Sequence, residues 1–451
     1  MKNIETKEIL ENYILALEEK DSEKMNELYN HLEPIDIASK LEDIANELVQ
    51  RFCEMTTDEK VACILEQAEE DLQKKIVGNL DNYRMLYIFN YMQKDDIVDI
   101  LGDLPINRSK QIVNLMKEGD KKVIQELLGY SEDSAGGIMT TEYIAINGGM
   151  TVKKAMDKIK DIGPRTEVIE TIFVINDKRE LIGIADLRDI LISDENILLK
   201  DISDKEYIYV EPETDQEEVS NIVSKYDLKV VPVINKRKAL LGIITIDDII
   251  DVIEEEHTED MYGLAGVSKE ESLDSTLFQS VKLRLPWLVI NLFTAFLAAF
   301  IVKVFENTIE QVVALSATMS IVSGMGGNAG TQTLSIMVRS IAIGDIKDKK
   351  KWVLLGKEIM LGVINGAVTG VVTGIIVYFI YGNAYLGLII FIAMIINLVI
   401  SGFFGIIIPL ILLKCNADPA LASSIFLTTA TDVLGFFVFL GLANLMLQYL
   451  V

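Results

Sequence analysis

The sequence predicts a multidomain protein with three structural parts. These are an all-α N-terminal domain whose short helices form a superhelix, an α+β domain made of two repeats, and an α-helical transmembrane domain of five spans. Three observations predict this organisation: short amphipathic patterns over positions 1–130, a segment at 174–190 that recurs at 233–249, and a C-terminal part almost without charge. The expected boundaries are 1–130, 131–253, a connecting helix at 254–280, and 281–451.

Charge is distributed unevenly along the 451-residue chain, whose net charge is −26. Residues 281–451 hold ten of the 42 Lys and Arg residues and seven of the 68 Asp and Glu residues, so positions 1–280 hold the remaining 32 and 61. This acidic excess excludes nucleic acid as a partner, because nucleic-acid binders carry basic surfaces. The nearly uncharged half excludes a simple soluble enzyme, and no nucleophile–base pair or Walker motif is visible.

The cysteine and histidine content argues against a disulfide framework or a zinc site. The chain has three cysteines and two histidines, and they are widely spaced. The N-terminus is charged and amphipathic, without the unbroken apolar stretch of a signal peptide. We therefore expect the large acidic half to stay in the cytoplasm.

Positions 1–130 have a helical pattern throughout. Apolar residues recur at intervals of three and four, as in Ile9, Leu10, Ile14 and Leu17. The pattern breaks near Pro34, Gly78, Pro105 and Gly119. Short successive helices of this kind predict a small superhelix, and its densest acidic spot is Asp95, Asp96 and Asp99.

Residues 174–190 recur as residues 233–249 without gaps. Each copy is expected to form a strand, a polar turn, a strand and a short helix. Each is preceded by a predicted strand (143–146 and 207–210) and a predicted helix (151–160 and 215–225), with Thr151 and Asp215 as N-caps. This β-α-β-β-α order, found twice, resembles a tandem CBS domain.

The CBS resemblance implies a possible nucleotide site. In that family a Ser or Thr and an Asp after the third strand often hold a nucleotide ribose. The second copy has Thr245 and Asp248, whereas the first has Asp186 and Asp189 and lacks the hydroxyl. ATP or another adenine nucleotide is therefore expected at Thr245, Asp248 and Asp189. The alternative is a purely structural, dimerising module.

An acidic segment joins the repeat to the apolar half. Residues 247–260 hold eight acids and no Lys or Arg. Asp247, Asp251, Glu255 and Glu259 are spaced by four, so they share one helix face, and like charges at this spacing repel. Either water screens this face, or a divalent cation binds there and removes the repulsion.

Five apolar stretches reach the length of about 20 residues that a membrane-spanning helix needs. They are 285–302, 311–338, 359–380, 386–413 and 421–447. Basic residues cluster before the first stretch, between the second and third, and between the fourth and fifth; they are Lys282, Arg284, Lys347, Lys349, Lys350, Lys351, Lys357 and Lys414. The positive-inside rule then predicts a multi-pass plasma-membrane protein with a cytoplasmic N-terminus and an external C-terminus.

The second and fifth spans contain polar residues that favour an ion path. Asp432 lies near the middle of its span, and intramembrane acids usually face a cavity or pathway. We expect Asn328, Gln332, Ser424 and Thr428 to line the path with it. The glycine-rich run 326–330 suggests an interrupted helix with exposed carbonyls, although small residues also permit close helix packing. Such hard oxygen ligands suit Mg²⁺, which keeps several of its waters.

These parts, in this order, resemble the MgtE family of magnesium channels. The motifs that carry the resemblance are Pro34-Ile-Asp-Ile-Ala, Asp133-Ser-Ala-Gly-Gly-Ile-Met, Met325-Gly-Gly-Asn-Ala-Gly, Asp418-Pro-Ala and Thr431-Asp432. The resemblance implies a homodimer embedded in lipid, a pore on its two-fold axis, and Mg²⁺ at Asp432. One departure is Thr331, where the family usually has Asn.

The resemblance also implies that cytosolic Mg²⁺ gates the path by binding acidic regulatory residues. Their expected positions are Asp95, Asp96, Asp215, Glu217, Asp227, Asp248, Asp251, Glu256, Glu259, Asp260 and Asp418. Two alternatives stay open at this point. One is a transporter of another divalent metal, such as Co²⁺ or Mn²⁺, and the other is a nucleotide-sensing membrane protein that does not conduct.

Overall fold

The computed structural model describes residues 2–163, 166, 168–273, 275–343, 348–415, 417–420 and 423–450. The chain divides into two compact units, Met1–Ile250 and Asp251–Val451, and each is described by itself. Two positions from the predicted membrane topology, Lys347 and the start of the fifth stretch at Leu421, lie outside the described residues.

Ten helices form the N-terminal part of the first unit, which confirms the predicted all-helical domain. They are α1 (Lys2–Glu19), α2 (Ser22–Tyr29), α3 (Pro34–Glu42), α4 (Asn46–Met55), α5 (Asp58–Glu66), α6 (Glu70–Gly78), α7 (Asn82–Ile88), α8 (Lys94–Asp103), α9 (Ile106–Leu115) and α10 (Glu118–Leu127). Pro34 occupies the first turn of α3, where its missing N–H has no helical partner to lose. Each helix buries one apolar face, as α5 does with Val61, Ile64 and Leu65.

The α+β part contains two similar copies. The first has β1 (Ala145–Asn147), α11 (Val152–Ile162), β2 (Thr171–Ile175), β3 (Leu181–Asp186), α12 (Leu187–Ile192) and α13 (Leu199–Ile202); the second has α14 (Gln216–Tyr226), β4 (Val230–Ile234) and β5 (Leu240–Thr245). β1 pairs in parallel with β2, which pairs antiparallel with β3, while β4 and β5 form an antiparallel pair.

The sequence repeat extends to individual hydrogen bonds in the turns. Asn176 Oδ1 accepts from the Lys178 N–H at 2.9 Å, and Asn235 Oδ1 accepts from the Arg237 N–H at 2.9 Å. Arg179 at φ 63° also matches Lys238 at φ 60°. These pairs occupy equivalent positions in the two copies, so the two hairpins use the same turn chemistry.

The predicted strand at 207–210 is reduced to one bridge, between Val210 and Val233. Val210 N–H donates to Pro232 O at 3.1 Å, and Ile234 N–H donates to Val210 O at 3.0 Å. Extending this parallel ladder towards residue 208 requires a donor at Pro232, which has no N–H. The proline therefore prevents the ladder from extending below Val210. Only one residue of the strand predicted at 207–210 pairs with the second copy.

The connecting helix has different limits from the predicted 254–280. Helix α15 (Ile246–Ala265) begins directly after β5 and ends where Gly266 takes a left-handed conformation, φ +71°. Glycine adopts this conformation without a steric cost and commonly ends helices. Residues 267–273 are not helical, so a separate non-helical segment lies between α15 and the apolar helices.

The apolar half consists of α16 (Leu277–Val304), α17 (Glu306–Gln311), α18 (Ala314–Ala342), α19 (Asp348–Tyr381), α20 (Ala384–Lys414), α21 (Ser423–Leu445) and α22 (Leu447–Leu450). Helix α20 packs against α18, α19 and α21. Its fully buried residues include Ile389, Ile390 and Ala393. The predicted break at 381–385 is confirmed, since α19 ends at Tyr381 and α20 begins at Ala384.

Within the described residues, four helices are long and apolar enough to cross a membrane: those at Leu277–Val304, Lys351–Tyr381, Ala384–Lys414 and Ser423–Leu445. The second predicted span, α18, is not among them although it has 29 residues, because Ser, Thr, Gly, Asn and Gln make it more polar. The predicted interruption at 326–330 is wrong. Helix α18 is continuous there, and Gly326 and Gly330 are buried against other helices.

Candidate ion path and acidic sites

Asp432 lies at the contact between α18 and α21. The Ser323 hydroxyl of α18 donates a hydrogen bond to Asp432 Oδ1 of α21, and both side chains are half-buried. The hydrogen bond satisfies one carboxylate oxygen and orients the group, because a carboxylate oxygen accepts from a hydroxyl in a directional contact. This pair therefore places a carboxylate where the two helices meet.

The other predicted path residues lie mostly on the surface of the protomer. Asn328, Gln332 and Thr428 are exposed, and Ser424 is half-buried. The exposed face of α18 is rich in small and polar residues, which are Ser316, Ser320, Gly324, Asn328, Thr331, Gln332 and Ser335. Its opposite face buries Leu315, Val322 and Leu334. A polar face turned outward from an apolar helix group is costly in lipid, so it fits a surface covered by water or by another subunit.

Two polar side chains near this path escaped the sequence prediction. Asn397 of α20 is fully buried and donates a 2.8 Å hydrogen bond to Val322 O of α18. Glu358 of α19 accepts a 2.9 Å hydrogen bond from Thr333 of α18. The sequence did contain a signal for Asn397, because it is the only Asn in the apolar stretch 386–413. Glu358 adjoins Lys357 at the charged end of its stretch, which made it look interfacial.

Asp95 and Asp96 belong to a carboxylate cluster around α8 in the first unit. Burial, together with the nearby Asp95, Glu66, Asp99 and Asp248 carboxylates, raises the pKa of Asp96 to about 9. Burial likewise raises the pKa of Asp95 to about 6, with a contribution from Asp248. The cluster therefore concentrates negative charge that the fold does not neutralise completely.

One oxygen of this cluster lacks a hydrogen-bond partner. Asp95 Oδ1 is buried without one in the described part of the chain, whereas the nearby Glu142 forms a 3.1 Å ion pair with Lys94. A buried oxygen without a donor matches what a bound cation or its water would satisfy. However, no three His, Cys, Asp or Glu side chains among the described residues are arranged to ligate one metal ion.

Two further predicted regulatory residues cap helix α14. Asp215 is its N-cap and accepts from the Glu217 N–H at 2.9 Å, as predicted, whereas Thr151 makes no such side-chain bond to α11. Asp227 is the C-cap, in the left-handed conformation with φ 51°. Asp215 and Asp227 thus have local structural roles, and Glu217 lies in the first turn of the same helix.

In the second unit, α15 carries Asp251, Glu256, Glu259 and Asp260. Partial burial raises the pKa of Asp260, and the Asp418 carboxylate raises it further. Asp418 Oδ1 also accepts from the Ala420 N–H at 2.8 Å. Asp260 and Asp418 are thus close enough to repel each other, which favours a cation near them.

Positive side chains from outside the acidic segment 247–260 lie next to it. Lys269 Nζ lies 3.1 Å from Glu259 Oε2, and Arg339 of α18 contacts His257 Nε2 at 2.8 Å. Neither cation lies within residues 247–260. The fold therefore relieves part of the repulsion with positive side chains from outside the helix.

The predicted nucleotide residues occupy different environments. The Thr245 hydroxyl at the end of β5 donates to Asp248 Oδ2 at 2.6 Å, so the two side chains form a pair at the start of α15. Asp189 is exposed on α12, and Asp186 caps that helix through the Arg188 N–H. The second copy therefore holds a hydroxyl–carboxylate pair that the first lacks.

Three family models match the chain. The model described as MgtE, divalent cation transporter, matches residues 319–442. The MgtE intracellular N domain matches residues 32–133, and the CBS domain matches residues 135–195 and 199–255. Together they span the helical, repeated and apolar parts.

Curated relatives match over nearly the full length. The magnesium transporter MgtE of Bacillus subtilis is 30% identical over 98% of both chains. That of Enterococcus faecalis is 35% identical over 73% of this chain and 72% of its own. That of Thermus thermophilus is 30% identical over 96% of this chain and 97% of its own. These relatives are transporters rather than enzymes.

Two solved structures resemble about half of the chain. The soluble part of a magnesium transporter has a TM-score of 0.52 and 28% identity, covering 56% of this chain and 99% of that chain. The cytosolic domain of the Mg²⁺ channel MgtE in complex with ATP also has a TM-score of 0.52 and 28% identity, covering 54% and 99%. With its three matched domains and its apolar candidate spans, the chain belongs to the MgtE family of magnesium transporters and is a multi-pass membrane protein.

Proposed function

We propose that the protein conducts Mg²⁺ into the cell and that Asp432 is the pore carboxylate. The observation that carries this is the Ser323–Asp432 hydrogen bond between α18 and α21. It fixes a carboxylate ligand among neutral polar groups, which suits a small hard cation that retains water. Asn328, Gln332, Ser424 and Thr428 complete the polar lining.

The pore requires α18 as a fifth spanning helix. Its outward polar face is unfavourable in lipid but suitable for a water-filled path. A homodimer whose two α18 faces meet on a two-fold axis removes that face from lipid in both copies. The basic residues next to the spans then place the N-terminus in the cytoplasm and the C-terminus outside the plasma membrane.

Cytosolic Mg²⁺ regulates the path in this proposal. At high Mg²⁺, cations bind the acids of the helical, CBS and connecting parts and stabilise a closed state; when Mg²⁺ falls, repulsion favours the open state. The raised pKa values of Asp95, Asp96 and Asp260 support it, since burial and then neighbouring carboxylates disfavour their charged forms, and a bound cation would offset both effects. The proposed ligands are Asp95, Asp96, Asp215, Glu217, Asp227, Asp248, Asp251, Glu256, Glu259, Asp260 and Asp418.

An adenine nucleotide such as ATP binds at the second CBS copy in the same scheme. Thr245 and Asp248 form the pair that would hold a ribose, with Asp189 from the first copy as a weaker candidate. The support is the 2.6 Å Thr245–Asp248 hydrogen bond and the ATP complex named for a similar structure. Binding of ATP to purified wild type and Thr245→Val tests it, and equal affinities would remove Thr245 from the site.

The pore assignment is tested by dye-reported Mg²⁺ uptake into liposomes. Wild type should show uptake, and Asp432→Ala should lose nearly all of it. Glu310→Ala is the matched control, because Glu310 is an exposed acid on the short helix α17 and its removal should leave flux unchanged. Equal flux in wild type and Asp432→Ala would contradict the pore assignment.

The same liposomes separate Mg²⁺ from other divalent metals. Softer transition metals favour His, Cys or Met ligands, whereas the Asp432 site offers oxygen. We expect Mg²⁺ uptake to exceed Co²⁺ and Mn²⁺ uptake at equal concentration. Gating is tested by limited proteolysis across a Mg²⁺ titration, where millimolar Mg²⁺ should protect residues 130–275.

A further inference from the structure

The Asn397 side chain lies between the two helices that carry Ser323 and Asp432. Asn397 is 0% exposed on α20, and its Nδ2 donates a 2.8 Å hydrogen bond to Val322 O of α18. In an α-helix this carbonyl already accepts from the N–H four residues on, at Gly326. The Asn397 amide therefore contacts α18 from outside the helix. It gives the Val322 carbonyl a second hydrogen-bond donor.

Glycines on both neighbouring helices make room for this amide. A Cβ on Gly326 of α18 would lie 2.9 Å from Asn397 Cγ and closer still to Nδ2. A Cβ on Gly435 of α21 would lie 2.8 Å from Asn397 Oδ1 and 3.0 Å from Nδ2. Any larger residue at either position would displace the amide, so both helices approach Asn397 as closely as glycine allows.

The amide is adjacent to the proposed ion ligand along both helices. Ser323 follows Val322, whose carbonyl Asn397 binds, and Asp432 precedes Gly435 by about one helical turn. A change in the gap that Asn397 fills would therefore change the separation of the Ser323 hydroxyl from the Asp432 carboxylate. Asn397 itself lies against Val322 and Gly326, which are on the buried face of α18.

The remaining polar atom of Asn397 argues against ordinary packing. Its Oδ1 is buried and has no hydrogen-bond partner within the described residues. A buried acceptor left unpaired costs free energy that a Leu of similar size would avoid. Ser401, one turn further on α20 and also fully buried, satisfies its hydroxyl within its own helix through Asn397 O at 2.8 Å. The hydrogen bond from the Asn397 amide to Val322 O therefore offsets the cost of its unpaired oxygen.

We infer that Asn397 is a positioning residue for ion passage: it sets the gap between α18 and α21 and thereby the geometry of the Ser323–Asp432 pair. This inference rests on the proposed function, because it takes that pair to be the cation ligand. The Gly326–Asn397–Gly435 arrangement defines the spacer. Its three residues come from three different helices.

The packing part is tested without measuring transport. Gly326→Ala should lower the thermal unfolding temperature of the full-length protein in detergent, because the new methyl group overlaps Asn397. Asn397→Ala removes the overlapping atoms, so the double variant Gly326→Ala/Asn397→Ala should unfold at a higher temperature than Gly326→Ala alone. A double variant no more stable than the single one would overturn the spacer, whatever the protein transports.

The positioning part is tested by Mg²⁺ uptake per folded protein in liposomes. Asn397→Leu keeps the branched arrangement and the number of side-chain heavy atoms but removes the amide, so it should fold, lose at least tenfold in maximal Mg²⁺ flux and change the Mg²⁺-to-Co²⁺ flux ratio. Ser401→Ala is the matched control and should keep both values. Wild-type flux and ratio in Asn397→Leu would overturn the inference. An Asp432→Ala variant assayed beside them separates this result from failure of the proposed pore, since wild-type flux there would contradict the pore itself.

Discussion

The Thr333 hydroxyl of α18 donates a 2.9 Å hydrogen bond to Glu358 Oε2 of α19. Glu358 is thus a second carboxylate, besides Asp432, that accepts a hydrogen bond from α18, and its partner lies on the buried face of α18, opposite the outward polar face. This hydrogen bond and the one from Asn397 to Val322 O connect the buried face of α18 to two helices, α19 and α20. Small residues alone therefore do not explain how this polar helix keeps its position.

The first prediction concerns this pair. Thr333→Val leaves Glu358 Oε2 without this donor and should destabilise the protein by about 1 kcal/mol, because a half-buried acceptor that loses its hydrogen bond costs free energy. The double variant Thr333→Val/Glu358→Leu should recover most of that loss, since apolar groups then replace both partners. Thermal unfolding in detergent measures both variants. If the loss of stability in the double variant equals the sum of the losses in Thr333→Val and Glu358→Leu alone, the two side chains do not interact.

The second prediction concerns the hydroxyl that binds Asp432. Ser323→Ala removes the donor to the Asp432 carboxylate, which is then oriented less well for the cation. The Mg²⁺ concentration at half-maximal flux should rise about fivefold, equivalent to ~1 kcal/mol. Ser340→Ala is the control, because Ser340 lies near the C-terminal end of α18, outside the outward polar face, and donates to Ile336 O of its own helix at 2.8 Å. An equal change in both variants would indicate a general effect on α18.

The third prediction is a pH dependence of stability from the α8 cluster. Folding raises the pKa of Asp95 from 3.8 to about 6 and that of Asp96 to about 9, so the folded chain holds protons that the unfolded chain has lost. Their contribution is greatest at acidic pH and declines as the pH rises from about 4 towards 9. Without divalent cations, the protein should lose on the order of 5 kcal/mol between about pH 5 and pH 8.

Thermal unfolding of the full-length protein in chelator-treated detergent buffer measures this loss. Asp96→Asn keeps the shape without the charge and should flatten the pH dependence, whereas Asp120→Asn removes an exposed acid and should not. Millimolar Mg²⁺ should stabilise wild type at pH 8 more than at pH 5, where protons already neutralise the cluster. A pH dependence unchanged by Asp96→Asn would assign the effect to other groups.

The sequence was most informative where a residue contrasted with its neighbours. Asp432 stood out as a single acid in an apolar stretch, and the recurrence of 174–190 at 233–249 predicted both hairpins with their turns. The glycine-rich run 326–330 was wrongly predicted to interrupt its helix. A sequence does not show whether a glycine is needed for a left-handed backbone conformation or for the close approach of two helices. Here Gly326 serves close approach to Asn397, a residue on a helix far along the chain.

Other features depended on pairings that only the folded chain reveals. Glu358 looked interfacial beside Lys357, and its partner Thr333 looked like one of many small residues in α18. The missing strand at 207–210 depended on a proline in the strand opposite it. Local patterns could not decide these cases, because the hydrogen-bond partner of each residue was set by tertiary packing.

The last prediction concerns the segment between α15 and the first apolar helix. Glu271 is buried, and its Oε1 lies 2.6 Å from Arg284 Nη2 on α16. Residues 267–273 are not helical, so this ion pair is a side-chain tie between the segment and the helix. Glu271→Ala should leave the segment less restrained, and proteolysis within residues 266–276 of the purified full-length protein should become faster.

A charge exchange distinguishes the ion pair from loss of bulk. Glu271→Arg alone places two cations together and should accelerate proteolysis more than Glu271→Ala does. Glu271→Arg/Arg284→Glu restores opposite charges and should return the rate towards that of wild type. Lys282→Glu, which changes a basic residue two positions before Arg284, is the matched control for net charge. If the exchange does not slow cleavage relative to Glu271→Arg, the ion pair does not restrain this segment.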